Sequence, residues 1–195
     1  SLGLPEAVWA SRNPDGAVEF LTVALDKCAA MGVEALSGGV YGGIGERSGG
    51  PPTKNELDNV ADALTRAAKY ARSLGLLLGI EPVNRYETHL LNTGWQAVDM
   101  IERIGAENMF VHLDTYHMNI EEDGMVDGVL AAGDRLGYVH VGESRRGYLG
   151  TGNVDFDAFF GALKQINYTG PVAFESFSSA VVDPALSDAP VSYTH

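Results

Sequence analysis

Four apolar runs of this chain each end on a side chain that can hold a metal ion or move a proton. LLLGIEP carries Glu81, MFVHLDT carries Asp114, LGYVHVG carries His140 and PVAFESF carries Glu175. The intervals are 33, 26 and 35 residues, close to the roughly 30 residues of one strand-plus-helix unit. A chain that repeats such a unit brings the end of every strand to the same face, so four residues remote in sequence converge on one point. Three carboxylates and one imidazole suit a divalent ion such as Mn²⁺, Mg²⁺ or Co²⁺, and the set holds no thiolate to favour softer metals. A buried carboxylate without a counter-charge is costly, and a bound cation supplies one. A single carboxylate at a strand end is ordinarily an N-cap or a solvated loop residue. Four in successive units point to a metal site and to an enzyme.

The elements that would position these residues alternate along the chain. Asn13-Pro14 opens a helix running to about Met31, with Gly32 as its stop. VEALSGGVYGG reads as a strand entering a glycine-rich loop. Thr53 and Glu56 have the spacing of a capping box and start a long amphipathic helix that ends at Gly75. Strand LLLGIEPV, a loop to Thr93, helix WQAVDMIERI and strand MFVHLDTY follow. A helix over 124–136, strand YVHVGE, a helix over 155–166 and strand VAFESF complete the pattern, and the tail from Ser178 is small and polar with no helical period. Alternating β and α elements with near-continuous apolar strands predict a parallel sheet covered by helices. Five strands are legible, and SLGLP fits the exit of a sixth. An eight-stranded (β/α)₈ TIM barrel needs about 250 residues. No G-x-G-x-x-G follows the first strand, and the ligand candidates sit on successive strands, so the expectation is an incomplete (β/α)₈ TIM barrel: one domain over residues 1–195 with five to six βα units.

Strand parity refines the set. With Asp114 pointing into the barrel mouth, Phe110 and His112 share its face while Val111 and Leu113 turn toward helices. His112 then lies one layer below the site and reads as a hydrogen-bonded core histidine rather than a ligand. By the same parity Leu77 and Gly79 lie beneath Glu81, and Tyr138 beneath His140.

Composition bounds the partners. The chain is 195 residues long, 45% hydrophobic and 20% charged, and it has no apolar run near the ~18 residues that span a bilayer. A formal charge of −13 argues against a phosphate backbone as partner, since counterion displacement needs Lys and Arg, and it gives no support to anionic membranes. The lone Cys28 cannot form an internal disulfide, which fits a reducing cytoplasm, and its helical spacing from Ala24 and Leu25 makes it a small core residue. The N-terminus SLGLPEAVWA has no secretory pattern and does not begin with Met, which reads as an internal start or a processed end.

The stretches GIEPVNRYETHLLNT, HLDTYHMNIEE, HVGESRRG and AFESF resemble those of the ketose 3-epimerases (D-tagatose, D-psicose and L-ribulose 3-epimerase), which belong to the xylose-isomerase-like TIM barrels. The resemblance runs from about Ser1 to Phe177. It implies a metal, Mn²⁺ before Co²⁺ or Mg²⁺, bound by Glu81, Asp114, His140 and Glu175, and it implies that Glu87, His117 and Arg146 hold the O1–O2 end of a ketose. On residue type alone those three read as a surface carboxylate, a helix-cap histidine and a solvated arginine. Glu143 and Arg145 divide equally between supporting the site and lying on the surface. Tyr41 and Ile44 match the family's apolar contacts to the far end of the sugar only loosely, and Trp9 reads as packing. The resemblance also implies that the missing part is the first two strands, most of the third and the final helix, and that the protein is a homodimer or homotetramer.

Epimerising a carbon beside a ketone requires a base, stabilisation of the resulting cis-enediolate, and a second acid on the opposite face. Glu81 and Glu175, three strands apart, are expected to be those two groups, with Asp114 and His140 as ligands only. An aldose–ketose or hydroxypyruvate-type isomerase on the same barrel is the nearest alternative. A metal-dependent endonuclease would need a basic surface that this chain lacks. From another class, an inactive barrel fragment would serve only as a binding or oligomerisation module.

Overall fold

A computed structural model describes residues 2–177; the tail from Ser178 lies outside them. The elements are α1 (Pro14–Met31), β1 (Ala35–Gly38), α2 (Lys54–Ser73), β2 (Leu77–Ile80), α3 (Gly94–Ile104), β3 (Met109–Asp114), α4 (Thr115–Glu121), α5 (Met125–Ala132), β4 (Leu136–Val141), α6 (Phe156–Gln165) and β5 (Val172–Phe174). Among the described residues β1 to β5 form one sheet in chain order, every neighbouring pair parallel. That is the wall of a (β/α)₈ barrel with helices on its outer side.

Local chemistry sets the helix ends. The Asn13 side chain accepts from Gly16 N and Pro14 occupies the first turn of α1, which Gly32 ends in a left-handed conformation (φ 70°). Thr53 and Glu56 form a reciprocal capping box on α2, with Glu56 Oε2 2.8 Å from Thr53 N and Thr53 Oγ1 3.2 Å from Glu56 N. Thr93 and Gln96 do the same on α3. The buried face of α2 is mostly alanine (Ala61, Ala63, Ala67, Ala68, Ala71), which lets it pack closely against the sheet and α1. Cys28 is buried on α1 with Leu21 and Leu25, as a core residue.

Three local features depart from the sequence pattern. The helix anticipated over 124–136 ends at Ala132, because Gly133 leaves helical backbone (φ 48°) and a 3₁₀ turn follows. The short α4 follows β3 directly because the Asp114 side chain caps it, accepting from Tyr116 N at 2.8 Å. Among the described residues of SLGLP, 2–5 add no strand; Leu2 N donates to Ser37 O at 3.0 Å and Leu4 N to Gly42 O at 2.8 Å. Gly38 (φ 141°) makes that approach possible, since a Cβ there would collide with the Leu2 backbone.

Parity holds along β3. Val111 and Leu113 are fully buried on the helix side, and the Phe110 ring covers Gly79 on the other. Opposite β4 the register slips between Val111 and His112: Leu136 faces Val111, Tyr138 faces His112, and Gly137 is left as the extra residue. That slip keeps Tyr138 and His140 on the barrel face.

β5 pairs with β4 on one edge and has no second partner among the described residues, and its Val172 and Phe174 are 46% and 54% exposed. Uncovered apolar strand edges invite pairing with another chain. The 195-residue polypeptide expressed by itself is expected to self-associate or aggregate. A monomeric, cooperatively melting species on a sizing column contradicts this.

Candidate metal centre and its neighbouring clamp

The four strand-end residues meet. One ligand atom from each of Glu81, Asp114, His140 and Glu175 lies within 4.8 Å of every other, close to the ~4.2 Å that separates opposite ligands on an ion with ~2.1 Å bonds. Glu81 follows β2, Asp114 closes β3, His140 lies in β4 and Glu175 follows β5. Glu81, Asp114 and His140 are buried and Glu175 half-buried. A hydroxyl joins two of the strand ends: Thr115 Oγ1 is 2.7 Å from Gly142 O and 2.9 Å from Gly142 N.

His140 Nδ1 is 3.4 Å from Glu175 Oε1 and 3.8 Å from Glu81 Oε1, yet makes no hydrogen bond. A buried imidazole nitrogen without a partner, flanked by carboxylate oxygens, fits a divalent cation. Glu81, His112 and His140 form a second, overlapping group of the same compactness. His112 is fully buried, its Nδ1 3.3 Å from Ser37 Oγ and 3.5 Å from Glu81 Oε2. Its ring meets those of Tyr138 and His140 edge-on at 4.8 and 4.3 Å, and burial holds its pKa well below the ordinary value. His112 thus lies beneath the cluster, as parity requires, and also within reach of Glu81.

Arg146 supplies a resident counter-charge. Its Nη1 is 2.6 Å from Asp114 Oδ2 and its Nη2 3.0 Å from Glu175 Oε2. The guanidinium stacks 4.0 Å above the Tyr116 ring, and the residue is 3% exposed, far from the solvated arginine its type suggests. Burial pushes the Asp114 carboxyl well up against the pull of Arg146. Glu175 is held low despite burial, by His140, Asp114 and Arg146. Arg146 adopts a left-handed backbone (φ 55°), and a Cβ on Gly142 would come 2.5 Å from its Nη1.

The sequence left two supporting residues unassigned. Glu143 is fully buried and organises the loop that carries Arg146, accepting from Ser144 N (2.7 Å), Gly150 N (3.0 Å) and Val154 N (3.2 Å). Burial pushes its carboxyl up, but hydrogen bonds from the backbone of Ser144, Val154 and Gly152 outweigh burial and hold it low. The glycine-rich run GYLGTGN, whose exposed N–H groups need an acceptor, was the available signal. Arg145 points away, to Thr151 O at 3.0 Å. Asn84 was missed altogether. It is buried, and it touches both Glu87 (Nδ2 to Oε1, 3.0 Å) and His117 (Nδ2 to Nδ1, 2.8 Å). Glu87, His117 and Arg146 therefore come together: His117 Nδ1 is 3.9 Å from Glu87 Oε1 and its Nε2 3.5 Å from Arg146 Nη2. A bidentate Arg85–Glu121 pair (Nε to Oε1 3.0 Å, Nη2 to Oε2 2.9 Å) ties the loop after β2 to α4.

The apolar candidates lie elsewhere. Tyr41 is buried, its hydroxyl 3.0 and 2.9 Å from the carbonyl oxygens of Glu81 and Leu91, so it braces the backbone. Trp9 packs in the core, its Nε1 donating to Leu4 O at 3.2 Å. Ile44 is exposed.

Residues 5–191 match the model of the family described as xylose isomerase-like TIM barrel. The chain is 51% identical over 192 residues to an L-ribulose 3-epimerase of Methylomonas sp. (strain DH-1), covering 96% of this chain and 67% of that protein. It is 48% identical over 191 residues to a ketose 3-epimerase of Arthrobacter globiformis, covering 96% and 66%. A crystal structure of D-allulose 3-epimerase from Methylomonas sp. in complex with D-allulose superposes with a TM-score of 0.88 at 50% identity, covering 95% of this chain and 66% of that one. The chain thus spans about two thirds of the length of these relatives. Sheet order, strand-end cluster and family match agree, and the chain belongs to the xylose isomerase-like TIM barrels.

Proposed function

We propose that the protein carrying this chain is a metal-dependent ketose 3-epimerase, interconverting C3 epimers such as D-fructose and D-psicose, D-tagatose and D-sorbose, or L-ribulose and L-xylulose. The observation that carries this is one cluster in which two carboxylates from strands three apart, Glu81 and Glu175, flank a possible ion site beside a donor-rich clamp. The relatives' names, which are those of 3-epimerases, support it. In this reading Glu81, Asp114, His140 and Glu175 hold the ion, Mn²⁺ before Co²⁺ or Mg²⁺. The ion, when bound, polarises the ketose carbonyl and lowers the cost of negative charge beside C3.

The chain's own residues do the rest. One of Glu81 and Glu175 takes the C3 proton, and the other returns a proton to the opposite face; their roles exchange with reaction direction. Asp114 and His140 only hold the ion. Arg146 and His117 direct donors at the sugar's O1–O2 end and Glu87 accepts from a hydroxyl there, which fixes the substrate for proton transfer. Arg146 also favours the charged form of Glu175 while the ion is absent. The partner is a small sugar, and no helix of the described residues is long and apolar enough to cross a membrane. The reading further assigns a cytoplasmic homo-oligomer, a dimer or tetramer.

Two measurements on the complete protein test this. Glu81→Gln and Glu175→Gln should each abolish exchange of the C3 hydrogen of D-fructose or L-ribulose with solvent deuterium, and NMR of the wild-type product should show the C3 epimer. Full exchange in both variants, or an aldose product, sinks the scheme. Adding Mn²⁺ to chelator-treated protein should raise its unfolding free energy, by about 2.7 kcal/mol at 100 times the dissociation constant. The gain should vanish in His140→Ala; an equal gain in that variant would place the ion elsewhere.

A further inference from the structure

We propose that Asn84 is a positioning residue that locks His117 in the Nε2–H tautomer, so that this ring can only donate a hydrogen bond to whatever docks against it. The tautomer rests on geometry alone; the identity of the acceptor as a ketose oxygen rests on the epimerase reading above.

The argument begins with a backbone group whose role is fixed. Tyr86 N lies 2.9 Å from Asn84 Oδ1, and an amide N–H can only donate, so that corner of the Asn84 amide is the oxygen. Its Nδ2 therefore faces the other two neighbours, Glu87 Oε1 at 3.0 Å and His117 Nδ1 at 2.8 Å, with one hydrogen for each. The backbone N–H of Asn84 also points at His117 Nδ1, at 3.1 Å. Two obligate donors converge on one imidazole nitrogen, which must present its lone pair to them. In the neutral ring the hydrogen then sits on Nε2.

The side-chain amide does something the backbone cannot. Glu87 Oε1 lies 3.9 Å from the same His117 Nδ1, and a carboxylate at that distance would otherwise draw the ring proton onto Nδ1. Asn84 Nδ2 stands between them, giving the carboxylate a hydrogen of its own. One buried amide thus insulates two residues of the clamp from each other while aligning both. Burial and Arg146, which hold the His117 pKa down to about 3, keep the ring neutral.

On the other side of the ring, Nε2–H faces Arg146 Nη2 at 3.5 Å. Arginine has no acceptor to offer. At 3.5 Å, with Nη2 also engaging Glu175 Oε2 at 3.0 Å, its claim on the ring is weaker than that of the two donors at Nδ1. Nε2–H and the remaining Nη2 hydrogen therefore look into one space. Asp114 Oδ2, 4.0 Å from Nε2, is already engaged by Arg146 Nη1 at 2.6 Å. The group that satisfies both donors is an oxygen carrying lone pairs, best one that gains negative charge during reaction. A ring with its proton on Nδ1 would turn a lone pair toward that oxygen and repel it.

The test uses the complete protein with ¹⁵N-labelled histidine at pH 7, with the His117 signals assigned by their loss in His117→Gln. Long-range ¹H–¹⁵N spectra of the wild type should show a protonated Nε2 and a bare Nδ1. In Asn84→Asp, where the donor becomes a second acceptor, the proton should move to Nδ1, and kcat on D-fructose or L-ribulose should fall about 100-fold or more with KM changing far less and Mn²⁺ binding retained. Asn84→Ala, which keeps the backbone donor, should move the same way to a smaller extent and serves if the aspartate variant does not fold. A wild-type ring protonated on Nδ1 overturns the proposal, as does a kcat loss in both variants without any change of tautomer, or a change of tautomer without loss of kcat. A wild type with the Nε2–H ring that exchanges no ketose C3 proton supports the lock and sinks the epimerase reading instead.

Discussion

Like charge crowded out of water is the constraint around which this molecule is arranged. Glu81, Asp114 and Glu175 bring ligand oxygens within 4.8 Å of one another. At that separation each pair of carboxylates repels by several kcal/mol even in a fairly polarisable interior, on the order of 4 kcal/mol at 4 Å. Such a cluster persists only with positive charge inside it or with one carboxyl protonated, the direction in which burial drives Asp114. Arg146 supplies that charge directly, contacting two of the three, and a divalent ion would complete the neutralisation. Much of the surrounding loop structure follows from holding that arginine: the Glu143 hub, the Tyr116 ring beneath the guanidinium, and the Ser176 hydroxyl that donates to the Arg146 carbonyl.

The sheet fixes where those charges stand. Parallel strands in chain order deliver one side chain per unit to the same rim, so residues from separate units share a site without any long loop. The slip at Gly137 shows how finely this is phased. Without the extra residue, His140 would point toward the helices, because a one-residue shift reverses a strand's faces.

What could be read from the sequence was whatever leaves a periodic or local trace. The buried strands are short apolar runs, and the caps at Asn13 and Thr53 lie beside the helices they start, so the alternating architecture and the four strand-end residues were legible. α4 was not, since seven residues hold too little periodicity and the Asp114 that caps it reads from its strand-end place as a ligand candidate. Arg146 and His117 carried no signal of burial in their own segments, and only similarity to known motifs singled them out. Asn84 acts through a ring 33 residues away, which no pattern along the chain encodes, whereas Glu143 left one local trace, the glycine-rich run whose N–H groups it accepts from.

One feature of the HVGE turn extends past the site itself. Arg146 Nη1 occupies the volume that a β-carbon on Gly142 would need, although Gly142 has no unusual backbone angle of its own. The glycine is therefore demanded by the groups packed against it, Arg146 first, and not by the turn. A β-carbon there would also come 3.1 Å from the Glu175 carbonyl oxygen and 3.3 Å from Asp114 Oδ1, so the strand ends that gather the carboxylates leave room at position 142 for a hydrogen and nothing more.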